Sequence, residues 1–136
     1  MPKFILEMEA LETAYNSVLT ENMEFIQKLG LQAKTDALTG IGNRAAYESY
    51  TKYLQKNHKE AIMFLFDVNK MRDINNTQGH AAGDKFLKKV TICILNVFGS
   101  KDIQNCFRIG GDEFVAYITD CPESAAPEYI RRFNEH

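Results

Sequence analysis

Apolar residues recur along this chain at more than one period, and the change of period divides it. Over residues 3–33 the spacing is seven: Phe4, Leu11, Val18 and Phe25 form one series, and Met8, Tyr15, Asn22 and Leu29 fall between them. A 4-3 alternation with acids and polar residues outside predicts a long helix with an apolar seam. Two arrangements fit it, a coiled coil with a second copy or an amphipathic helix laid on its own domain. Asn22 in the seam would cost stability and specify register or strand number. Gly30 is expected to end the helix or to form a hinge after it. The expected division is therefore a helix over 1–34 and a globular part over 35–136.

Later in the chain the pattern shortens. Ala-Ile-Met-Phe-Leu-Phe-Asp-Val at 61–68 is an apolar run closed by an acid. Short, rich in aromatics and without alternation, it reads as a strand buried on both faces. A polar, glycine-containing stretch follows over 69–84. Helical spacing then returns over about 83–98, with Phe86, Leu87, Val90, Ile94, Leu95 and Val97 or Phe98 on the inner side. At 108–115, Arg-Ile-Gly-Gly-Asp-Glu-Phe-Val sets two glycines and two acids between apolar, strand-like flanks. That predicts a β-hairpin with a doubly acidic turn. Gly110 and Gly111 tolerate positive φ and leave room for a close ligand. A strand over 114–120 and a helix over 124–135 complete the order.

A β-helix-β crossover is right-handed and leaves its two strands parallel, so their C-terminal ends share one edge of the sheet. Asp67 is thereby brought toward Asp112 and Glu113. Carboxylates gathered at such an edge suit magnesium, which takes one or two of them and completes its shell with water and phosphate. Each residue also has a plainer reading. The turn could be an ordinary solvated hairpin, and Asp67 a strand cap. Asn75 and Asn76 could be turn residues and Asp84 a helix N-cap. His80 reads as a packed or hydrogen-bonded histidine, with no second His or Cys at metal spacing. Arg108 reads as a brace for the hairpin.

Four motifs in order resemble the GGDEF domains, which are mostly diguanylate cyclases. They are Asp36-Ala-Leu-Thr-Gly-Ile-Gly-Asn-Arg, Phe66-Asp67 through Asn75, Gly79-His80-Ala-Ala-Gly83-Asp84, and Arg108-Ile-Gly-Gly-Asp-Glu-Phe. The resemblance runs from Thr35 to the end. It implies an α+β, ferredoxin-like nucleotide-cyclase palm that joins two GTP molecules into cyclic di-GMP and releases pyrophosphate, each of two protomers supplying half a site. By the same resemblance Asp67, Asp112 and the Val68 carbonyl would hold Mg2+ or Mn2+. Asn75 and Asp84 would read the guanine edge. Lys70, Met71 and Arg72 would cradle phosphates through backbone N–H groups, with Gly110 and Gly111 leaving space for substrate. Glu113 would lie beside the substrate.

The departures are equally specific. Asn69 replaces the second acid of the usual Asp-x-Asp pair, Asn76 stands where aspartate is common, and Met71 where phenylalanine is. The Arg-x-x-Asp of the family's inhibitory product site is Lys101-Asp102-Ile103-Gln104 here. Lysine lacks the planar guanidinium fork, so that product site is expected to be absent. The family's last strand and helix, which bring basic residues to the triphosphate, do not follow residue 136. The sequence therefore reads as a fold lacking them, with an open edge on the 61–67 strand and impaired turnover. The other reading is a GGDEF module that binds GTP or a protein partner without catalysis.

Composition narrows the classes further. A net charge of −2 with 25% charged residues gives no case for nucleic-acid binding. No apolar stretch reaches bilayer-spanning length. Three cysteines without metal spacing read as reduced thiols of a cytoplasmic protein. The expected partners are GTP and, through the N-terminal helix, a second copy.

Overall fold

The computed structural model describes residues 3–68 and 71–135, and for residues 3, 4, 31 and 32 the backbone alone. Asn69, Lys70 and the Phe4 side chain thus lie outside the described residues. The chain divides into two units, one ending at Ala33 and the other beginning at Lys34.

The first unit is helix α1, Lys3–Ala33. It runs through Gly30, which corrects the expected stop. A glycine costs a helix interior about 1 kcal/mol without ending it. Leu11, Tyr15, Val18 and Phe25 are all more than half exposed.

The second unit contains α2 (Arg44–Lys56), β1 (Ala61–Asp67), α3 (Met71–Gln78), α4 (His80–Phe98), β2 (Cys106–Arg108), β3 (Glu113–Thr119) and α5 (Ala126–Asn134). The sheet order is β1-β3-β2, with both pairings antiparallel. β1 and β2 therefore run the same way, as the crossover requires, but with β3 between them. The class is α+β as expected.

Period-two alternation assigns the two faces of the sheet. Phe64, Phe114, Ala116 and Cys106 face α4, where Leu87, Ile94, Val97 and Phe98 complete one core. Tyr129 and Phe133 of α5 close over Phe64, Phe66 and Phe98, with ring centroids 4.9–6.0 Å apart. Burial there pushes the Cys106 thiol up to about 12, so it stays protonated. On the other face Phe107, Val115 and Tyr117 pack with Leu54 of α2. Asn105 fastens the turn between α4 and β2. Its buried amide donates to the Phe98 and Tyr117 carbonyls at 2.7 and 2.9 Å.

Two expectations need correction. β1 is not buried on both faces: Met63 and Leu65 are 50% and 62% exposed. α2 covers β2 and β3, whereas β1 lies at the sheet edge and pairs only with β3 among the described residues. On α4 the inner stripe is Gly83, Leu87, Thr91, Ile94 and Val97–Phe98. Phe86 and Leu95 lie one position off it, at 36% and 41% exposure. The polar 69–84 stretch, for which the pattern predicts no element, contains α3.

Candidate functional site

The β2–β3 hairpin forms as the pattern predicts. Its turn closes through the Ile109 and Gly110 amides, which donate to the Glu113 carbonyl at 3.0 and 3.4 Å. Neither turn glycine uses the positive φ it tolerates; Gly40 and Gly79 are the described glycines that do. A Cβ at Gly111 would meet nothing within 4 Å, so this glycine keeps the turn tip open.

The end of β1 meets this turn directly. Asp67 is the cross-strand partner of Glu113, and the Val68 amide donates to the Asp112 carbonyl at 2.9 Å. Asp67 and Glu113 are thus opposite each other on the ladder with Asp112 beside them, and like charges so placed repel. A divalent cation would offset that repulsion. Among the described residues no three His, Cys, Asp or Glu side chains form a metal cluster by themselves. Two carboxylates and a carbonyl still suffice for magnesium, whose other ligands are water and phosphate. The donor set fits.

Beside the turn lies a cavity of about 450 Å³ lined by Met71, Arg72, Asn75, Asn76, His80, Asp84, Leu87, Arg108, Gly111 and Asp112. Of the residues that the resemblance assigns to metal or substrate, Met71, Arg72, Asn75, Asp84, Gly111 and Asp112 meet in this wall. Asp67, Val68, Gly110 and Glu113 are not among the lining residues and adjoin it through the strand ends. Lys70 falls outside the described residues. His80 is exposed in the cavity wall, not packed in the core.

α3 and α4 hold the wall from one side. They meet at Gly79, whose φ of +86° allows one helix to follow the other at once. The plain reading of Asp84 as an N-cap fails, since α4 begins four residues earlier with Gly79 as its cap.

Arg108 holds the wall from the other side. Its Nε and Nη2 donate to the Gly111 carbonyl at 3.2 and 2.8 Å, and its Nη1 donates to both Asp36 oxygens at 3.3 Å. Asp36 also accepts from the Thr39 amide and hydroxyl at 2.9 and 2.6 Å. The brace read for Arg108 is therefore present. The role of Asp36 as its anchor was legible only as part of a motif. Gly83, buried against Asn75, carried no sequence signal beyond its place in a motif.

An antiparallel sheet with an acidic hairpin beside a cavity of amide, carboxylate and guanidinium groups defines a nucleotide-cyclase type of palm. Residues 33–136 match the family described as "Diguanylate cyclase, GGDEF domain", and the chain belongs to that family. It is 31% identical over 112 residues to the probable diguanylate cyclase DgcE of Escherichia coli, a match covering 79% of this chain and 10% of that protein. To the diguanylate cyclase DgcS of Shewanella oneidensis it is 32% identical over 115 residues, covering 82% of this chain and 38% of the relative. The chain thus spans well under half the length of these relatives. Among solved structures, the coiled coil and GGDEF domain of DgcB from Caulobacter crescentus, in complex with c-di-GMP, superposes with a TM-score of 0.79. At 20% identity, over 93% of this chain and 67% of that one, it shows a shared fold. No helix among the described residues is long and apolar enough to cross a membrane.

Proposed function

We propose that the cavity binds GTP with a magnesium ion, and that the chain is the nucleotide-binding part of a diguanylate cyclase. The observation that carries this is the meeting of Asn75, Asp84 and Asp112, from three separate elements, in or beside one wall. An amide offers donor and acceptor together, and a carboxylate accepts two N–H groups, which is the pattern of a guanine edge. Asp67, Asp112 and the Val68 carbonyl would hold the metal. When bound, the metal lowers the pKa of the attacking hydroxyl and neutralises charge on the phosphate. The backbone of Lys70, Met71 and Arg72 would hold the phosphates, and Glu113 would stand beside them.

The reaction is attack of a 3′-hydroxyl on the α-phosphate of a second GTP, with pyrophosphate leaving. It needs two half-sites facing each other, and the apolar seam of α1 supplies a means of pairing two copies. The reduced, separate cysteines support a cytoplasmic setting. Among the described residues β1 pairs with β3, and Asp67 sits at its end, where a site that works by positioning is sensitive to small displacements. The test is incubation with GTP and magnesium chloride, followed by mass spectrometry for cyclic di-GMP and calorimetry of GTP binding. Selective GTP binding with cyclic di-GMP formation supports the reading; a chain that neither binds nor converts GTP refutes it.

A further inference from the structure

We infer that Gly83 is a positioning residue for base recognition: the missing side chain at 83 is what lets the Asn75 amide occupy the cavity. The inference rests on the reading of Asn75 as a guanine contact.

A Cβ built on Gly83 would lie 1.9 Å from Asn75 Oδ1, 3.1 Å from its Cγ and 3.2 Å from Met71 Cε. The first distance is far inside van der Waals contact, so any side chain at 83 excludes the observed position of the Asn75 amide. All three atoms belong to side chains on α3, and all can turn away.

The backbones around them are held. The Gly79 amide donates to the Asn75 carbonyl at 3.0 Å, and the Gly83 amide to the Gly79 carbonyl at 3.3 Å. Relief therefore comes from rotation of the amide and not from parting of the helices. Nor does the backbone itself call for glycine. Gly83 lies within α4 and is not among the described residues with positive φ. Alanine is the better helix former at such a place. The glycine thus runs against helix propensity, and what it provides is room for Asn75.

Met71 and Asn75 both line the cavity, so a side chain at 83 disturbs two wall residues at once. Gly83→Ala should therefore fold normally, keep the metal and phosphate contacts, and lose the Asn75 share of guanine recognition.

The experiment uses the full chain in magnesium chloride, titrated by calorimetry with GTP and with ATP. The proteins are the parent, Asn75→Ala, Gly83→Ala and the double variant, with thermal melts of each. Losing one well-made hydrogen-bond pair should weaken GTP binding about tenfold and leave ATP binding unchanged. The inference expects this of both single variants. It expects no further loss in the double variant, and a melting temperature of Gly83→Ala at or above the parent's. An additive loss in the double variant overturns it. So does an unchanged GTP preference in Gly83→Ala when Asn75→Ala has lost it. A Gly83→Ala chain that fails to fold also overturns it, because the conflict is then not relieved by side-chain rotation. If Asn75→Ala itself leaves the preference intact, the guanine reading of Asn75 fails and takes this inference with it.

Discussion

Arg108 and Asp36, 72 positions apart in the sequence, meet at 3.3 Å with both side chains less than a fifth exposed. Arg108 spends its remaining donors on the Gly111 carbonyl, so one guanidinium ties the loop before α2 to the acidic turn. Two separated sequence motifs become one rigid support for Asp112.

Arg108→Lys is expected to keep the charge and lose the brace. An ammonium cannot span two acceptors with the planar geometry of a guanidinium. Chemical denaturation should show a loss of about 1.5–3 kcal/mol, the range for a charge-assisted hydrogen bond. GTP affinity should fall as the turn loosens. An unchanged midpoint and unchanged affinity would show that the brace is idle.

Asp36 gives the brace a pH dependence. Burial raises its carboxyl pKa, but the hydrogen bonds from Thr39 and the charge of Arg108 outweigh burial and hold it below the ordinary 3.8. A depressed carboxyl contributes stability that is present above its unfolded value and lost as the pH falls through the folded one. The parent should therefore lose stability more steeply than Asp36→Asn as the pH drops below about 3.8. Parallel curves for the two proteins would remove Asp36 as a source of acid sensitivity.

Val18 stands in the middle of the α1 seam and is 56% exposed, with Leu11, Tyr15 and Phe25 exposed along the same helix. Sedimentation should show a self-associating parent. Val18→Glu should weaken that association at least tenfold, because a charge would be desolvated in the seam. A monomeric parent at high micromolar concentration leaves α1 as a single amphipathic helix.

The Lys101–Gln104 segment should not hold product tightly. Gln104 already donates its side-chain amide to the Cys106 carbonyl at 2.8 Å, and Lys101 offers no guanidinium fork. Calorimetry with cyclic di-GMP should give at most weak binding, unaltered by Lys101→Ala. Tight binding that Lys101→Ala abolishes would restore the inhibitory site.

Which of these features the sequence discloses depends on how local the cause is. The hairpin was legible because glycines, acids and flanking β-formers lie within eight residues. The approach of Asp67 to Asp112 was legible because crossover handedness constrains it. α3 was hidden, since Met-Arg-Asp-Ile-Asn-Asn-Thr-Gln is rich in poor helix formers and is held by α4 behind it. The exposure of Leu65 was hidden as well. An apolar run looks the same at the edge of a sheet and at its centre, and only the sheet order with the reach of α2 tells them apart. Gly83 was hidden most deeply, because its role depends on the rotamer of a residue on another helix.

On the proposed function, a carboxylate-held metal and the Asn75–Asp84 wall together bind GTP. Calorimetric titration of the full chain with GTP, in magnesium chloride and again in excess chelator, tests it most directly when repeated with Asp67→Asn and Asp112→Asn. Binding should be present with magnesium and weakened at least tenfold by the chelator and by either substitution, since each removes a ligand of a charge-assisted site. GTP binding of equal strength in every condition would contradict this, and would place the nucleotide somewhere other than this strand end.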